Sequence, residues 1–328
     1  MTSSKRTALT SHGVVASDPS AIYGSGPVVL RIGNGGAGAT GLIEALALAY
    51  LDQRRGPPAA ITWVCNHSRN TQLALFHGYI DLALTYERAS EASAGAEGWS
   101  VTHGCVFHDH FVLAGPVSDP AGVSRATDLH DAFRRIAQRR APFHSRADGS
   151  ATMAKERSIW NATGVCPWED PSETSSWYTM TEFTPSDAVR NADVAQAYLL
   201  TDRSTLLRLV ADGMVRQTTV FFEPTGTDDV LMNSCYALSA PDAGDEVHAF
   251  ASYALSPAGQ RIIADFGRAE AGLPLFAPVK DEDGDADGTC SAKPLIRQAS
   301  LRSKVLLLRR QMMLCSPEAD PRELTAFV

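Results

Sequence analysis

The chain has 328 residues and a mass of 35.1 kDa, more than one hydrophobic core usually holds, so two domains are favoured. Apolar residues make up 44% of the chain and charged residues 20%, which excludes a disordered or collagen-like protein. The net charge of −8 argues against nucleic-acid binding. The sequence contains no stretch of 18 apolar residues, the length at which a membrane-spanning helix would be considered.

Residues 1–27 are rich in Ser, Ala and Gly and predict a flexible N-terminal segment. Lys5 and Arg6 are not followed by an apolar stretch, so no secretory signal is recognised and the sequence as written predicts a cytoplasmic protein. The six cysteines form no CxxC pair and are expected to be thiols rather than a disulfide framework.

Strand and helix patterns alternate along the chain, which predicts an α/β fold with a parallel sheet. The predicted strands are 28–32, 60–65, 80–84, 107–114, 218–222 and 234–239. The predicted helices are 40–51, 71–77, 128–140, 154–162, 187–198, 246–253 and 257–266.

Two lobes follow from this order of elements. Residues 28–114 with 234–278 form the first lobe and 115–233 the second, with a ligand cleft expected between them. Residues 279–328 are predicted to be an acidic linker and a basic amphipathic tail helix. That helix could pack on its own domain or mediate self-association. The spacing of Asp283, Asp285 and Asp287 matches the first positions of an EF-hand calcium loop. The twelfth position of such a loop is a glutamate, but here it is Pro294, so calcium binding is not expected.

A GxGxxG pattern, Gly33 to Gly38, lies between a predicted strand and a predicted helix. Three interpretations stay open: a dinucleotide site, a tight turn, or a site for another anion. No acidic residue follows the second strand to bind a ribose, although Ser68 and Arg69 could serve a 2′-phosphate.

Two further segments combine an arginine with hydroxyl groups at a helix start. One is the sequence SRADGSAT at 145–152, and the other is TDRST at 201–205. Such groups can surround an oxyanion, whereas capping of a surface helix is the structural alternative. A metal site near His103, Cys105, His108, Asp109 and His110 is disfavoured by the spacing. GxSxG, HExxH and P-loop motifs are absent.

Taken in order, these segments resemble the tungstate-binding, periplasmic-binding-protein-like family of ABC transporter substrate-binding proteins. The resemblance covers about residues 28–278, and its most specific pieces are SRADGSAT, close to the family's SRGDxSGT, and TDRST, close to TLTDRGTY. It implies a type II periplasmic-binding-protein fold, in which two α/β lobes hold an oxyanion between them. Family members are usually periplasmic or extracellular and serve a transporter membrane subunit.

The resemblance also implies which residues hold the ligand. Arg146 and Thr152 match the residues that grip the anion in the family. The family's TTTS loop matches Gly33–Gly36, so its hydroxyl side chains are lost here. The expected ligand-binding residues are Asn34, Gly35, Gly36, Ser68, Ser145, Arg146, Thr152 and Arg203.

The first hypothesis is therefore a non-catalytic protein that binds a tungstate- or molybdate-like oxyanion without a cofactor, either for transport or as an intracellular carrier or sensor. The second is an enzyme acting on a small carboxylate or phosphate-bearing metabolite. Its candidate acid–base groups are His67, His108, His110, Asp148 and Asp202. The third is an interaction protein that uses the tail.

Overall fold

A computed structural model describes residues 6–169, 172, 176–225 and 229–279. The predicted tail and the EF-hand-like segment fall within 280–328 and lie outside the described residues. The strands are β1 Ala21–Gly24, β2 Val28–Asn34, β3 Ala60–Cys65, β4 Leu82–Thr85, β5 Val101–Pro116, β6 Phe143–Arg146, β7 Tyr178–Thr181, β8 Leu199–Asp202, β9 Thr218–Phe222, β10 Met232–Ser239 and β11 Ala277–Pro278. The helices are α1 Gly36–Ala39, α2 Leu42–Gln53, α3 Ser68–Phe76, α4 Arg88–Ala96, α5 Leu129–Arg139, α6 Ala151–Thr163, α7 Pro185–Ala195, α8 Arg203–Ala211, α9 Asp245–Leu255, α10 Pro257–Asp265 and α11 Arg268–Ala271.

The sheet of lobe 1 has the strand order β1-β3-β2-β4-β10-β5-β11. Strands β3 and β4 pair in parallel with β2, whereas β1, β10 and β11 pair antiparallel with their neighbours. The prediction of parallel strands is therefore right for the two pairings of β2 and wrong for the other four pairings in this strand order. The cause is connectivity: β10 enters the sheet from the second lobe, against the direction of β4.

Strand β5 belongs to both lobes. Its first part pairs with β10 as far as His110, and from Phe111 onward it pairs with β8 and β9. Every residue from Cys105 to Pro116 is buried, which explains the long apolar run in the sequence. The chain returns between β9 and β10, where the Phe111 amide donates to the Leu231 carbonyl at 2.9 Å. These two crossings join the lobes of an α/β fold.

Lobe 2 is built around an aromatic cluster. The rings of Phe133, Phe143, Trp160 and Tyr178 pack within 4.6–6.2 Å of one another. Strands β6 and β7 pair in parallel, and a bridge joins Phe143 to Tyr198 just before β8. This packing fixes β6 and β8 side by side, so their carboxyl ends, Arg146 and Asp202, reach the same edge.

Helix starts follow from local capping. Ser150 accepts from the Met153 amide and begins α6, and Thr184 accepts from the Asp187 amide and begins α7 with Pro185 in its first turn. Helix α7 ends at Ala195 because Gln196 adopts a left-handed conformation. The predicted helix over 187–198 was therefore displaced towards its C-terminus.

Residues 1–27, expected to form a flexible segment, contribute strand β1 to the edge of the sheet. Residues 6–20 lie along lobe 1 and hydrogen-bond to it. Their flexibility stays a prediction. Among the described residues, no helix has the length and apolar character needed to span a bilayer.

The aromatic cluster generates a stability prediction. Replacing Trp160 by Ala removes a fully buried ring and should lower the free energy of unfolding by about 3–5 kcal/mol in urea titrations. Val194→Ala, on α7 with 85% of its side chain exposed, is the control and should change stability by less than about 0.5 kcal/mol. A loss below about 1 kcal/mol in Trp160→Ala would contradict the packing described here.

Candidate functional site

A cavity of about 360 Å³ lies between the lobes, where the parallel strands of both lobes have their carboxyl ends. This is the usual ligand position in open α/β sheets. It is lined by His12, Val14, Ala16, Gly35, Gly36, Ala39, Cys65, Asn66, His67, Ser68, Asn70, Tyr86, Asp109, Arg146, Ser150, Ala151, Thr152, Pro185, Asp202 and Asn233. Five of the expected ligand-binding residues are among them: Gly35, Gly36, Ser68, Arg146 and Thr152.

The glycines of the GxGxxG pattern have different roles. A Cβ on Gly33 would come within 2.3 Å of Ile80, and one on Gly38 within 2.1 Å of the Trp63 ring. That ring is fixed, because its Nε1 donates to the Asn34 carbonyl at 2.8 Å. Close packing therefore accounts for these two glycines. Gly36 has open space at its Cβ position.

The dinucleotide interpretation also relied on Arg69. The Arg69 guanidinium forms a salt bridge with Glu87, the residue that precedes α4, with its Nε 3.2 Å from Oε2. Its charge is therefore already compensated, and it is not among the cavity-lining residues. The structure therefore does not present Arg69 to a 2′-phosphate in this cavity.

Asn34 stabilises the glycine loop from behind. Its amide nitrogen donates to the Leu84 carbonyl and its oxygen accepts from the Gly38 amide, both at 2.9 Å. The side chain is fully buried and does not line the cavity. Its sequence-predicted role as a ligand donor therefore has no support in this geometry. Ser68, in contrast, faces the cavity and accepts from the Tyr86 amide at 3.2 Å, leaving its hydroxyl proton to donate.

Arg146 is the cation of the cavity. Its side chain is 6% exposed and forms a salt bridge with Asp148; Nη1 lies 3.5 Å from Thr152 Oγ1 and 3.9 Å from Asp202 Oδ2. The buried Nε of Arg146 has no hydrogen-bond partner within the described part of the chain. A buried donor of this kind is costly unless a ligand or water accepts from it.

Two carboxyl groups, Asp148 and Asp202, flank the Arg146 guanidinium, and a third, Asp109, lies near Asp202. Burial and the neighbouring Asp202 charge raise the pKa of Asp109 to about 7, although Ser204 Oγ donates to it at 2.7 Å. Burial also raises the pKa of Asp202, while Arg146 opposes the shift. Burial acts in the same sense on Asp148, but Arg146 and the Ser150 amide hold the pKa of that carboxyl below its ordinary value.

Ser145 and Arg203 are buried but do not line the cavity. Arg203 begins α8, where burial lowers its pKa while the charges of Asp109 and Glu223 oppose the shift. Arg203 therefore lies near Asp109 but not at the surface of the cavity, and this geometry does not support its predicted contact with a ligand.

Three of the candidate acid–base residues lie near Arg146, whose charge acts on the pKa of His67, Asp148 and Asp202. Of the five candidates, His67 and Asp202 line the cavity. Burial lowers the pKa of His67, and burial followed by the Arg203 charge lowers that of His110 to about 3. His108 Nδ1 lies 2.8 Å from Ser234 Oγ. Both His67 and His110 are therefore neutral at pH 7.

Sequence reasoning missed several cavity residues, above all Tyr86, Asn233 and residues 12–16. Tyr86 directly follows β4 and Asn233 is the second residue of β10, and no motif surrounds either of them. Residues 12–16 lie in an irregular segment whose composition gave no periodic signal.

Asp109 generates a pH prediction. Its folded pKa lies above its ordinary value, so its stabilising contribution is complete below about pH 4 and is lost as the pH rises through 7. We expect the wild type to have a lower thermal unfolding temperature at pH 8 than at pH 5.5. In Asp109→Asn this difference between the two pH values should be smaller by a few degrees. Glu156, whose pKa burial also raises to about 7, is measured separately as Glu156→Gln.

Asp187→Asn is the matched control for this experiment. Hydrogen bonds from Thr184 and Arg190 lower the Asp187 pKa, so this carboxyl stays ionised over the whole interval. An Asp109→Asn profile identical to that of Asp187→Asn would contradict the assignment.

Comparison with known proteins places this geometry in a family. The chain is 30% identical over 207 residues to the tungstate-binding protein TupA of Peptoclostridium acidaminophilum, covering 61% of this chain and 69% of that one. A Haloferax volcanii protein, provisionally named an ABC transporter anion-binding protein, is 33% identical over 208 residues; these cover 62% of this chain and 58% of its own length.

Among solved structures, the tungstate-binding protein TupA of Desulfovibrio alaskensis G20 superposes with a TM-score of 0.63 at 25% identity, covering 77% of this chain and 99% of that one. The likeness confirms the two-lobed, type II periplasmic-binding-protein fold. A model of the PBP superfamily domain matches residues 21–258. The chain belongs to the PBP superfamily, in the tungstate-binding, periplasmic-binding-protein-like family of substrate-binding proteins.

Proposed function

We propose that the chain binds a small oxyanion of the tungstate and molybdate class between its lobes, without catalysing a reaction on it. The observation that carries this proposal is the buried Arg146, whose Nε points to no acceptor among the described residues. The TupA relatives, named for tungstate binding, support the same class of ligand.

The surrounding groups fit this role. Thr152 and Ser68 offer hydroxyl donors to the cavity, and Gly35 and Gly36 bring backbone to its surface. Asp148 and Asp202 flank Arg146 and orient its guanidinium, and Arg146 lines the cavity in which the anion would be held. Closure of the lobes would remove water and strengthen each charge contact.

A partner follows from the same comparison. The Haloferax protein is named for ABC transport, so a transporter membrane subunit is the partner that we propose for this chain. Carriage or sensing of the anion without a transporter is the alternative use of the same site, and copurification with a membrane subunit distinguishes the two.

The first test is a thermal-shift panel of tungstate, molybdate, sulfate, phosphate, small carboxylates and NADP. A ligand at about 100 times its dissociation constant adds about 2.7 kcal/mol of stability, which is readily seen. We expect tungstate or molybdate to shift the wild type and Arg146→Ala to lose that shift. Arg190→Ala, which removes an exposed arginine of α7, should keep it. A wild-type shift with NADP alone would contradict the proposal.

The glycine loop provides a gain-of-affinity test. Gly36 lines the cavity with open space at its Cβ, and it is the last position of the loop that the resemblance matches to the family's TTTS sequence. Gly36→Ser should tighten tungstate binding about tenfold, because a hydrogen bond to a charged group contributes about 1.5–3 kcal/mol. Gly36→Ala, which adds the carbon without the hydroxyl, is the control for calorimetric titration. Equal affinities of the Ser and Ala variants would show that the loop does not face the ligand.

A further inference from the structure

Residues 12–16 are fixed to lobe 1 by two buried asparagines. Asn70 accepts from the His12 amide at 3.0 Å and donates to the His12 carbonyl at 2.7 Å and the Val14 carbonyl at 3.1 Å. Asn66 both accepts from and donates to the backbone of Ala16, each at 2.9 Å. Each asparagine side chain therefore pairs with backbone N–H and C=O groups of the segment, as the backbone of a neighbouring strand does.

Apolar contacts add to this attachment. Leu9, Val15 and Ala16 pack against the buried cluster that includes Trp99 and Leu238. The Ala8 amide donates to Glu97 at 2.8 Å. Because the whole stretch is bound at several separate points, we refer to residues 8–16 as the strap.

The strap also reaches the second lobe. His12, Val14 and Ala16 line the mouth of the cavity, and the His12 ring packs against Gly149 in the loop that carries Arg146 and Asp148. A Cβ on Gly149 would lie 2.5 Å from the ring's Cγ, and Gly149 has a φ of +65°. The glycine thus provides both the turn and the space for His12.

This connection is not part of the matched family domain, which begins at residue 21. The crossings at β5 and β10 bring Asp109 and Asn233 to the cavity, whereas the strap joins the lobes through His12 and Gly149. The contact between His12 and Gly149 restrains the Arg146 loop from the side of lobe 1.

We propose that the strap is a third wall of the anion site and that His12 is a positioning residue for the Arg146 loop. The inference rests on the proposed oxyanion binding for its effect on the ligand, but the restraint on the loop exists without ligand. Holding the loop before binding reduces the entropy lost on binding and slows release.

The test compares His12→Gly, which removes the ring, with His12→Phe, which keeps an aromatic ring against Gly149. His12 is at the surface, so neither change removes core packing. Hydrogen exchange of residues 147–152 is measured without ligand, and tungstate dissociation is measured by stopped flow. We expect His12→Gly to exchange faster in this loop and to release tungstate about tenfold faster, with His12→Phe close to the wild type.

The two readouts separate this inference from the proposed function. If the wild type does not bind tungstate, the proposed ligand fails while loop exchange still tests the strap. Wild-type exchange in His12→Gly would overturn the strap inference even if tungstate binds. Equally faster loop exchange and tungstate release in His12→Gly and His12→Phe would overturn it as well. Such a result would show that the imidazole itself is needed and that packing of a ring against Gly149 is not enough.

Discussion

The burial of Arg146 between carboxylates is the constraint around which the cleft is organised. Removing a guanidinium from water costs several kcal/mol unless its charge and its donors are satisfied. Asp148 and Asp202 supply the opposite charge, but in the described residues they leave Nε without an acceptor. The charge of the guanidinium is therefore compensated, while its hydrogen bonding is incomplete among the described residues.

This arrangement depends on the architecture of lobe 2. Arg146 and Asp202 stand at the ends of β6 and β8, two strands of four residues each, which are too short to be fixed by their own hydrogen bonds. The aromatic cluster beneath them and the bridge between Phe143 and Tyr198 hold them in register. Strand β8 pairs with β5, which continues into lobe 1. The position of Arg146 is therefore set by packing between residues that lie more than 10 positions away in the sequence.

The sequence allowed the lobes, most helices and the Arg146 segment to be predicted, because these depend on local pattern and on a specific motif. Thr152 and Gly36 do line the cleft, as expected. The orientation of Asn34 could not be predicted, since either its amide or its backbone could have faced the cleft and only tertiary contacts decide. Gly33 and Gly38 fit the spacing of a nucleotide-binding motif. Glycine is needed at these positions because the side chains of Ile80 and Trp63 pack against them, and these contacts form only in the folded chain. The strap was missed because its attachment relies on asparagine side chains 50 to 58 residues away.

The charge balance of the cleft limits which anions it can hold. Asp148 and Asp202 lie beside Arg146 and Asp109 also lines the cavity, so a dianion would meet excess negative charge if all three carboxyls were ionised. The raised pKa of Asp109 eases this conflict, because a carboxyl with a pKa near 7 can keep its proton when an anion approaches and then donates a hydrogen bond rather than repelling it. Binding of a dianion would then be linked to proton retention at Asp109, and its affinity would fall as the pH rises above 7.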